Sequence, residues 1–107
     1  PVHAKLRTYA EGNADVAAEL KRLLNKTLEE LQLFLDQLAQ RQTADLEALL
    51  HKSKTAIFIL SEQKLSEGLD QLKTHFDRLA RHHIPVPESF IRDLMLVINT
   101  LRAELAT

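Results

Sequence analysis

The chain has 107 residues, of which 45% are hydrophobic and 27% charged, and its formal net charge is −1. This balance predicts one globular domain over residues 1–107 and excludes a disordered chain, while the near-neutral charge argues against nucleic acid as a partner. The absence of cysteine excludes disulfides, thiolate chemistry and cysteine-ligated zinc, and it makes the cytoplasm the expected location.

Helix-forming residues dominate, with only two glycines and three prolines in the chain, and they predict an all-α fold. A short first helix is predicted over residues 2–10. The turn that follows contains Gly12, which suits a helix C-terminus, and Asn13, which suits the N-cap of the next helix. The chain begins with Pro1 rather than Met, so we expect a domain excised or processed from a longer protein.

A long amphipathic helix is predicted over residues 15–40. Its apolar side chains recur at steps of three and four residues, namely Val16, Leu20, Leu23, Leu24, Leu28, Leu31, Leu35 and Leu38. Thr43 is predicted to cap a third helix that runs to about residue 60, with Asp45 near its positive end. Successive residues about 100° apart place its core side chains in one arc, formed by Leu46, Leu49, Leu50, Ser53, Ala56, Ile57 and Leu60.

Ser61 is predicted to cap a fourth helix that stops near His83, and residues 88–106 are predicted to form a fifth helix after the extended, proline-containing segment 84–87. Connections this short join antiparallel neighbours. They predict an up-down-up-down four-helix bundle, with the short N-terminal helix packed across one end. The longest apolar runs have five residues, too few to cross a membrane.

His51 falls on the polar side of the third helix, roughly 160° from the centre of the core arc, so we expect its imidazole to face solvent. Lys52 and Lys54 flank it on either side. Phe58 lies in nearly the same direction as His51, two turns further along the helix. A neighbouring helix or a partner protein would have to cover this aromatic ring.

The segment from His51 to Ser61, HKSKTAIFILS, resembles the phosphorylation segment of histidine-containing phosphotransfer domains, the carriers of bacterial multistep phosphorelays. In that family a histidine is followed by two residues, a lysine and then a glycine or another small residue, with a turn about ten residues after the histidine. The family also has a long helix before the histidine, introduced by a Gly-Asn or Gly-Asp turn. Gly12 and Asn13 match that turn.

The resemblance implies that His51 receives a phosphoryl group from an aspartyl phosphate on a receiver domain, supplied by a hybrid sensor histidine kinase. His51 then passes it to an aspartate of a response regulator. A solvent-exposed imidazole is largely neutral near pH 7 and is a competent nucleophile. Lys54, one turn away, is positioned to offset the charge on the phosphoryl oxygens, with Lys52 as a weaker auxiliary.

The expected docking surface for the receiver consists of Thr55, Phe58, Ile59 and Glu47, and Glu47 is also placed to hydrogen-bond and orient the imidazole of His51. No glycine-rich phosphate loop is present, so we expect no kinase activity of the domain itself. The family implies that Mg²⁺ comes with the receiver domain, so no cofactor is expected on this chain, which is taken to be a monomer.

Two positions depart from the family pattern. Thr55 stands where glycine is usual and narrows the approach to the histidine. Phe58 stands where a small residue is usual, and it either enlarges an apolar docking patch or partly blocks it. An alternative function is a non-catalytic helical bundle that binds a partner through Thr55, Phe58 and Ile59. A metal-binding bundle is disfavoured, since none of the five histidines follows a glutamate by three residues.

Overall fold

The computed structural model describes residues 2–107, and in that part of the chain five α-helices and one short 3-10 turn occur, without any strand. The helices are α1 (Val2–Tyr9), α2 (Ala14–Asp36), α3 (Thr43–Leu60), α4 (Gln63–His82) and α5 (Glu88–Ala106). The predicted all-α class is therefore confirmed. None of the helices in residues 2–107 is both long enough and apolar enough to cross a membrane.

The start of α2 follows the prediction, whereas its end does not. The side-chain oxygen of Asn13 accepts hydrogen bonds from the backbone N–H groups of Asp15 at 3.0 Å and Val16 at 3.1 Å. Helix α2 ends at Asp36 rather than at residue 40, because the backbone tightens into the 3-10 turn Leu38–Gln40. This turn carries the chain into α3.

Two predicted helix caps are wrong, each by one residue. Thr43 is the first residue of α3 rather than its N-cap, and the carboxylate of Asp45 accepts from the N–H of the preceding Gln42 at 2.8 Å. Ser61 has a left-handed backbone (φ 50°) and ends α3 instead of capping α4. The carboxylate of Glu62 caps α4, accepting from the N–H of Leu65 at 2.8 Å.

The four long helices contact one another in a closed ring, α2 with α3, α3 with α4, α4 with α5, and α5 with α2. Helix α1 packs against α2, α3 and α5. Large side chains that are almost fully buried fill the centre of this ring, namely Leu24, Leu28, Leu31, Leu60, Leu65, Leu72, Ile98 and Leu105. The ring places α3 between α2 and α4 and leaves its outer side open.

The predicted core arc of α3 is largely correct. Leu46, Ser53, Ala56 and Leu60 are buried, and the remaining members, Leu49, Leu50 and Ile57, are half-buried against the core. This arrangement fixes the orientation of α3, and it turns the opposite side of the helix, with His51, outward.

Candidate functional site

His51 lies near the middle of α3 with its side chain exposed to solvent, as the helical spacing predicted. Within residues 2–107 its imidazole forms no hydrogen bond to another side chain or to the backbone, and Lys54 is likewise exposed and forms no ion pair there. The side chain of His51 is therefore accessible to an incoming group. An unengaged imidazole on a rigid helix is a suitable nucleophile.

His51 and Lys54 line one open groove of about 510 Å³ between α3 and α4. The other groove residues are Thr43, Leu46, Glu47 and Leu50 from α3, and Lys73, Phe76 and Asp77 from α4. Leu46 and Phe76 are buried, whereas the charged residues of the groove are exposed. The groove thus has an apolar floor and a charged rim.

A second depression of about 180 Å³ continues this groove along the same pair of helices. It shares Leu50, Lys54 and Lys73 with the first and adds Ile57, Ser66, Leu69 and Asp70. We call the two depressions together the α3–α4 groove. Lys54 and Lys73 are the two cations that line both parts of it.

The charges around the His51 part of the groove nearly cancel. Lys54 and Lys73 are positive, and Glu47 and Asp77 are negative. Asp77 is also paired within α4, where it accepts from the Arg81 Nε at 2.8 Å. The pairing with Arg81 therefore partly compensates the negative charge of Asp77.

Lys52 lies on the other side of α3. Its ammonium pairs with the carboxylate of Glu30 on α2, with 3.2 Å between Nζ and Oε1, and it does not line the α3–α4 groove. The cation expected to assist Lys54 therefore points toward α2, away from the groove that His51 shares.

Glu47 does line the groove beside His51, as a residue four positions earlier on the helix should. No hydrogen bond between Glu47 and His51 is present in residues 2–107, where His51 has no such partner. The orienting contact expected from the sequence is thus absent from residues 2–107, and helix packing fixes the backbone of α3 at His51 but not its imidazole.

The expected docking surface divides into exposed and buried residues. Thr55 is exposed and Phe58 is 66% exposed, but Ile59 is only 5% exposed and belongs to the hydrophobic core. Ile59 is therefore not at the surface of this structure, where a partner could contact it.

Helix α1 packs against α3 at the end of α3 that contains Ile59. The ammonium of Lys5 donates to the carbonyl of Leu60 at the end of α3, and the ring of Tyr9 stands edge-on to Phe58 with 6.3 Å between centroids. Val2 and Leu6 of α1 share the core with Ile59. The C-terminal end of α3 is thus packed on two sides, by the bundle and by α1.

Sequence reasoning missed the contribution of α4 to the site. Lys73 and Asp77 are one turn apart and flank the buried stripe of Leu69, Leu72 and Phe76. Residues beside a core stripe lie at the border with a neighbouring helix. Their position could have been noticed, but only the packing of α3 against α4 brings them to His51.

Among residues 2–107, no group of three or more histidine, cysteine, aspartate or glutamate side chains is arranged to hold a metal ion. Comparison of the chain with protein-family models, with curated proteins and with solved structures finds no match. His51 and its surroundings are therefore the basis on which a function can be assigned.

Proposed function

We propose that the protein is a phosphohistidine carrier of a bacterial two-component phosphorelay, acting in the cytoplasm. His51 accepts a phosphoryl group from the aspartyl phosphate of a receiver domain and passes it to the aspartate of a response regulator. The observation that carries this proposal is an exposed imidazole, free of hydrogen bonds within residues 2–107, that lines an open groove together with Lys54.

The chemistry needs few groups from this chain. A ring nitrogen of His51 attacks phosphorus, the N–P bond forms as the acyl O–P bond breaks, and aspartate leaves as a carboxylate. The imidazole loses its remaining N–H proton to water or keeps it as an imidazolium until the return step. The developing charge lies on the phosphoryl oxygens, where the Lys54 ammonium offsets it.

An up-down-up-down arrangement of α2 to α5 goes with this function, and contacts between helices support it. The start of α3 shares the groove with the end of α4, Thr43 with Asp77, whereas Ile57 shares the continuation with Ser66 near the start of α4. Antiparallel packing of this kind gives a stiff platform. A stiff platform keeps the nucleophile in place while a receiver domain docks.

The phosphoryl donor and the Mg²⁺ are proposed to come with the partners, a hybrid sensor histidine kinase and a response-regulator receiver domain. The sequence has no glycine-rich phosphate loop with which to bind ATP. Transfer between proteins therefore takes place inside a complex with a receiver domain, in which this chain acts as a monomer and contributes His51 and Lys54.

A second candidate is a binding module without phosphoryl transfer, and one observation favours it. Phe58 and Tyr9 are 66% and 45% exposed and stand edge to face, forming an aromatic pair at the outer surface of α3 and α1. Exposed aromatic residues are common anchors of protein interfaces. This surface, with Thr55, would bind a partner protein without using His51.

One experiment distinguishes the two candidate functions. The protein is incubated with phosphoramidate or with phosphorylated receiver domains, and its intact mass is then measured. For a carrier we expect the gain of one acid-labile phosphoryl group. The gain should be lost in His51→Gln and retained in Lys52→Ala, a matched exposed neighbour. Absence of any gain in the wild-type protein, with phosphoramidate and with every receiver tested, contradicts the carrier and favours the binding module.

A further inference from the structure

We infer that Lys73 of α4 is the second cation that contacts the phosphoryl group on His51, taking the role that the sequence alone assigned to Lys52. This inference rests on the proposed function. It adds a residue from a different helix to the site, so that the two sides of the α3–α4 groove each supply one ammonium.

The position of Lys73 is the first observation. Lys73 lines the groove part that contains His51 and Lys54, and it also lines the continuation of the groove beside Lys54. Lys54 belongs to α3 and Lys73 to α4. A phosphoryl group attached to His51 and lying in the groove therefore has Lys54 on the same helix as His51 and Lys73 on the opposite side of the groove.

The availability of Lys73 is the second observation. Its side chain is 60% exposed, and its ammonium stands 3.7 Å from the carboxylate of Asp70 on the same helix. An exposed ion pair at that distance contributes little free energy and does not hold the side chain. Lys73 can therefore turn toward a phosphoryl group when one is present.

Lys52 differs in both respects. It is absent from the groove lining, and its ammonium is engaged by Glu30 of the neighbouring helix at 3.2 Å. To reach a group in the groove, Lys52 would have to leave Glu30 and pass around α3. The two lysines thus have the same charge and similar exposure. Lys73 lines the α3–α4 groove, whereas Lys52 lies on the side of α3 that faces α2.

The charge of the bound group requires more than one cation. A phosphoryl group carries between one and two negative charges near pH 7, spread over three oxygens. Glu47 and Asp77 line the same groove and repel it, although Arg81 partly compensates Asp77. Lys54 alone would leave the group beside two carboxylates, and the ammonium of Lys73 offsets the second of them.

The step concerned is the formation of the N–P bond at His51. With phosphoramidate as the donor, a ring nitrogen of His51 attacks phosphorus, the P–N bond of phosphoramidate breaks, and ammonia leaves with a proton taken up from water. The transferred oxygens keep their charge throughout. Lys73 lowers the energy of the state in which they enter the groove.

The test compares Lys73→Gln with Lys52→Gln in phosphorylation by phosphoramidate, followed by intact mass over time. We expect Lys73→Gln to slow the reaction about fivefold, the factor that corresponds to one exposed charge at about 4 Å in water. Lys52→Gln should leave the rate unchanged, and Lys73→Arg should restore it. The effect of Lys73→Gln should shrink in 1 M salt, where charges are screened over about 3 Å.

A second measurement reports on contact with the phosphoryl group rather than on the fold. In the phosphorylated protein, the ³¹P resonance titrates with the phosphoryl group, and loss of a nearby ammonium should move the midpoint to higher pH in Lys73→Gln but not in Lys52→Gln. Equal rates and equal midpoints in the two variants would overturn the role of Lys73 while leaving the carrier function intact.

Failure of the carrier function itself is distinguished by titration with inorganic phosphate, followed through the NMR signals of the His51 ring. If the wild-type protein is never phosphorylated but phosphate shifts these signals, and Lys73→Gln reduces the shift more than Lys52→Gln, the anion contact of Lys73 stands without the carrier. If phosphate leaves the His51 signals unchanged, or shifts them equally in both variants, the role of Lys73 is overturned as well.

Discussion

The outer side of α3 has two regions with different surroundings. The first, from Thr43 to Lys54, borders the open α3–α4 groove and exposes His51. The second, at Phe58 and Ile59, lies beside α1, with Ile59 buried in the core and most of Phe58 in solvent. From the sequence, both regions belonged to one functional surface.

The difference shows that the neighbours of a helix, as well as its own periodicity, decide what is buried. Around His51 the apolar residues occupy one arc, so the polar side is well defined. Residues 56–60 are all apolar and point in every direction around the helix. Which of them become core depends on where α1, α2 and α4 pack against α3, and these helices are separate segments of the chain.

The largest expected effect is the difference in stability between an alanine variant of the buried Ile59 and one of the exposed Phe58. We expect Ile59→Ala to lower the free energy of unfolding by about 2–4 kcal/mol, because it leaves a cavity in the hydrophobic core. Phe58→Ala should cost less than about 1 kcal/mol, because its ring is mostly exposed. Urea denaturation followed by circular dichroism measures both values.

The same pair of variants also tests the binding role of this region. Phe58→Ala should weaken docking of a receiver domain more than it weakens folding. A loss of several kcal/mol of stability in Phe58→Ala would show that Phe58 is a core residue in solution and would remove it from the docking surface.

The groove region should respond to substitution in activity rather than in stability. We expect Lys54→Ala to slow phosphorylation of His51 about tenfold, which corresponds to about 1.4 kcal/mol of transition-state stabilisation. The melting temperature should stay nearly constant, because an exposed lysine contributes little to folding. Intact mass over time and thermal denaturation of the same sample give both quantities.

Thr55→Ala serves as the control for Lys54→Ala, since Thr55 is its exposed neighbour on α3 and lies outside the groove lining. It should leave the reaction with small phosphodonors unchanged. Unfolding of Lys54→Ala, or an unchanged rate, would contradict the assignment of Lys54 to an exposed site beside the phosphoryl group.

A smaller effect on stability should follow from weakening the contact between α1 and the C-terminal end of α3. Lys5→Met removes the donor to the Leu60 carbonyl at the end of α3. We expect a loss of about 0.5–1.5 kcal/mol of stability, the range for one hydrogen bond. Lys26→Met is the control, since Lys26 is an exposed lysine of α2. Equal stabilities in urea would mean that Lys5 does not hold α1 against α3.

Much of the fold could be predicted from the sequence because the helices carry strong local signals. Helix α5 has the predicted bounds, since Pro87 precedes it and its apolar spacing is regular. Asn13 caps α2 as predicted. The end of α2 was misplaced because Leu38 continues the apolar spacing although the backbone has already tightened into the 3-10 turn.

The sequence predicts only those features of the candidate site that depend on α3 alone. The exposure of His51 and Lys54 depends on the position of the core arc of α3, which the sequence defines. The direction of Lys52 toward Glu30 and the approach of Lys73 to the groove depend on which helices lie on either side of α3. Such contacts join residues far apart in the chain, and no local pattern encodes them.

The smallest effect should come from the ion pair between Lys52 of α3 and Glu30 of α2, which lies outside the α3–α4 groove. In a double-mutant cycle with Lys52→Ala and Glu30→Ala, we expect a coupling of about 0.2–0.5 kcal/mol in the free energy of unfolding, as for other partly exposed ion pairs. Neither substitution should change the rate of phosphorylation of His51. A slower reaction in Lys52→Ala that Glu30→Ala does not reproduce would place the Lys52 ammonium at the phosphoryl group, and the two sides of α3 would then no longer differ in function.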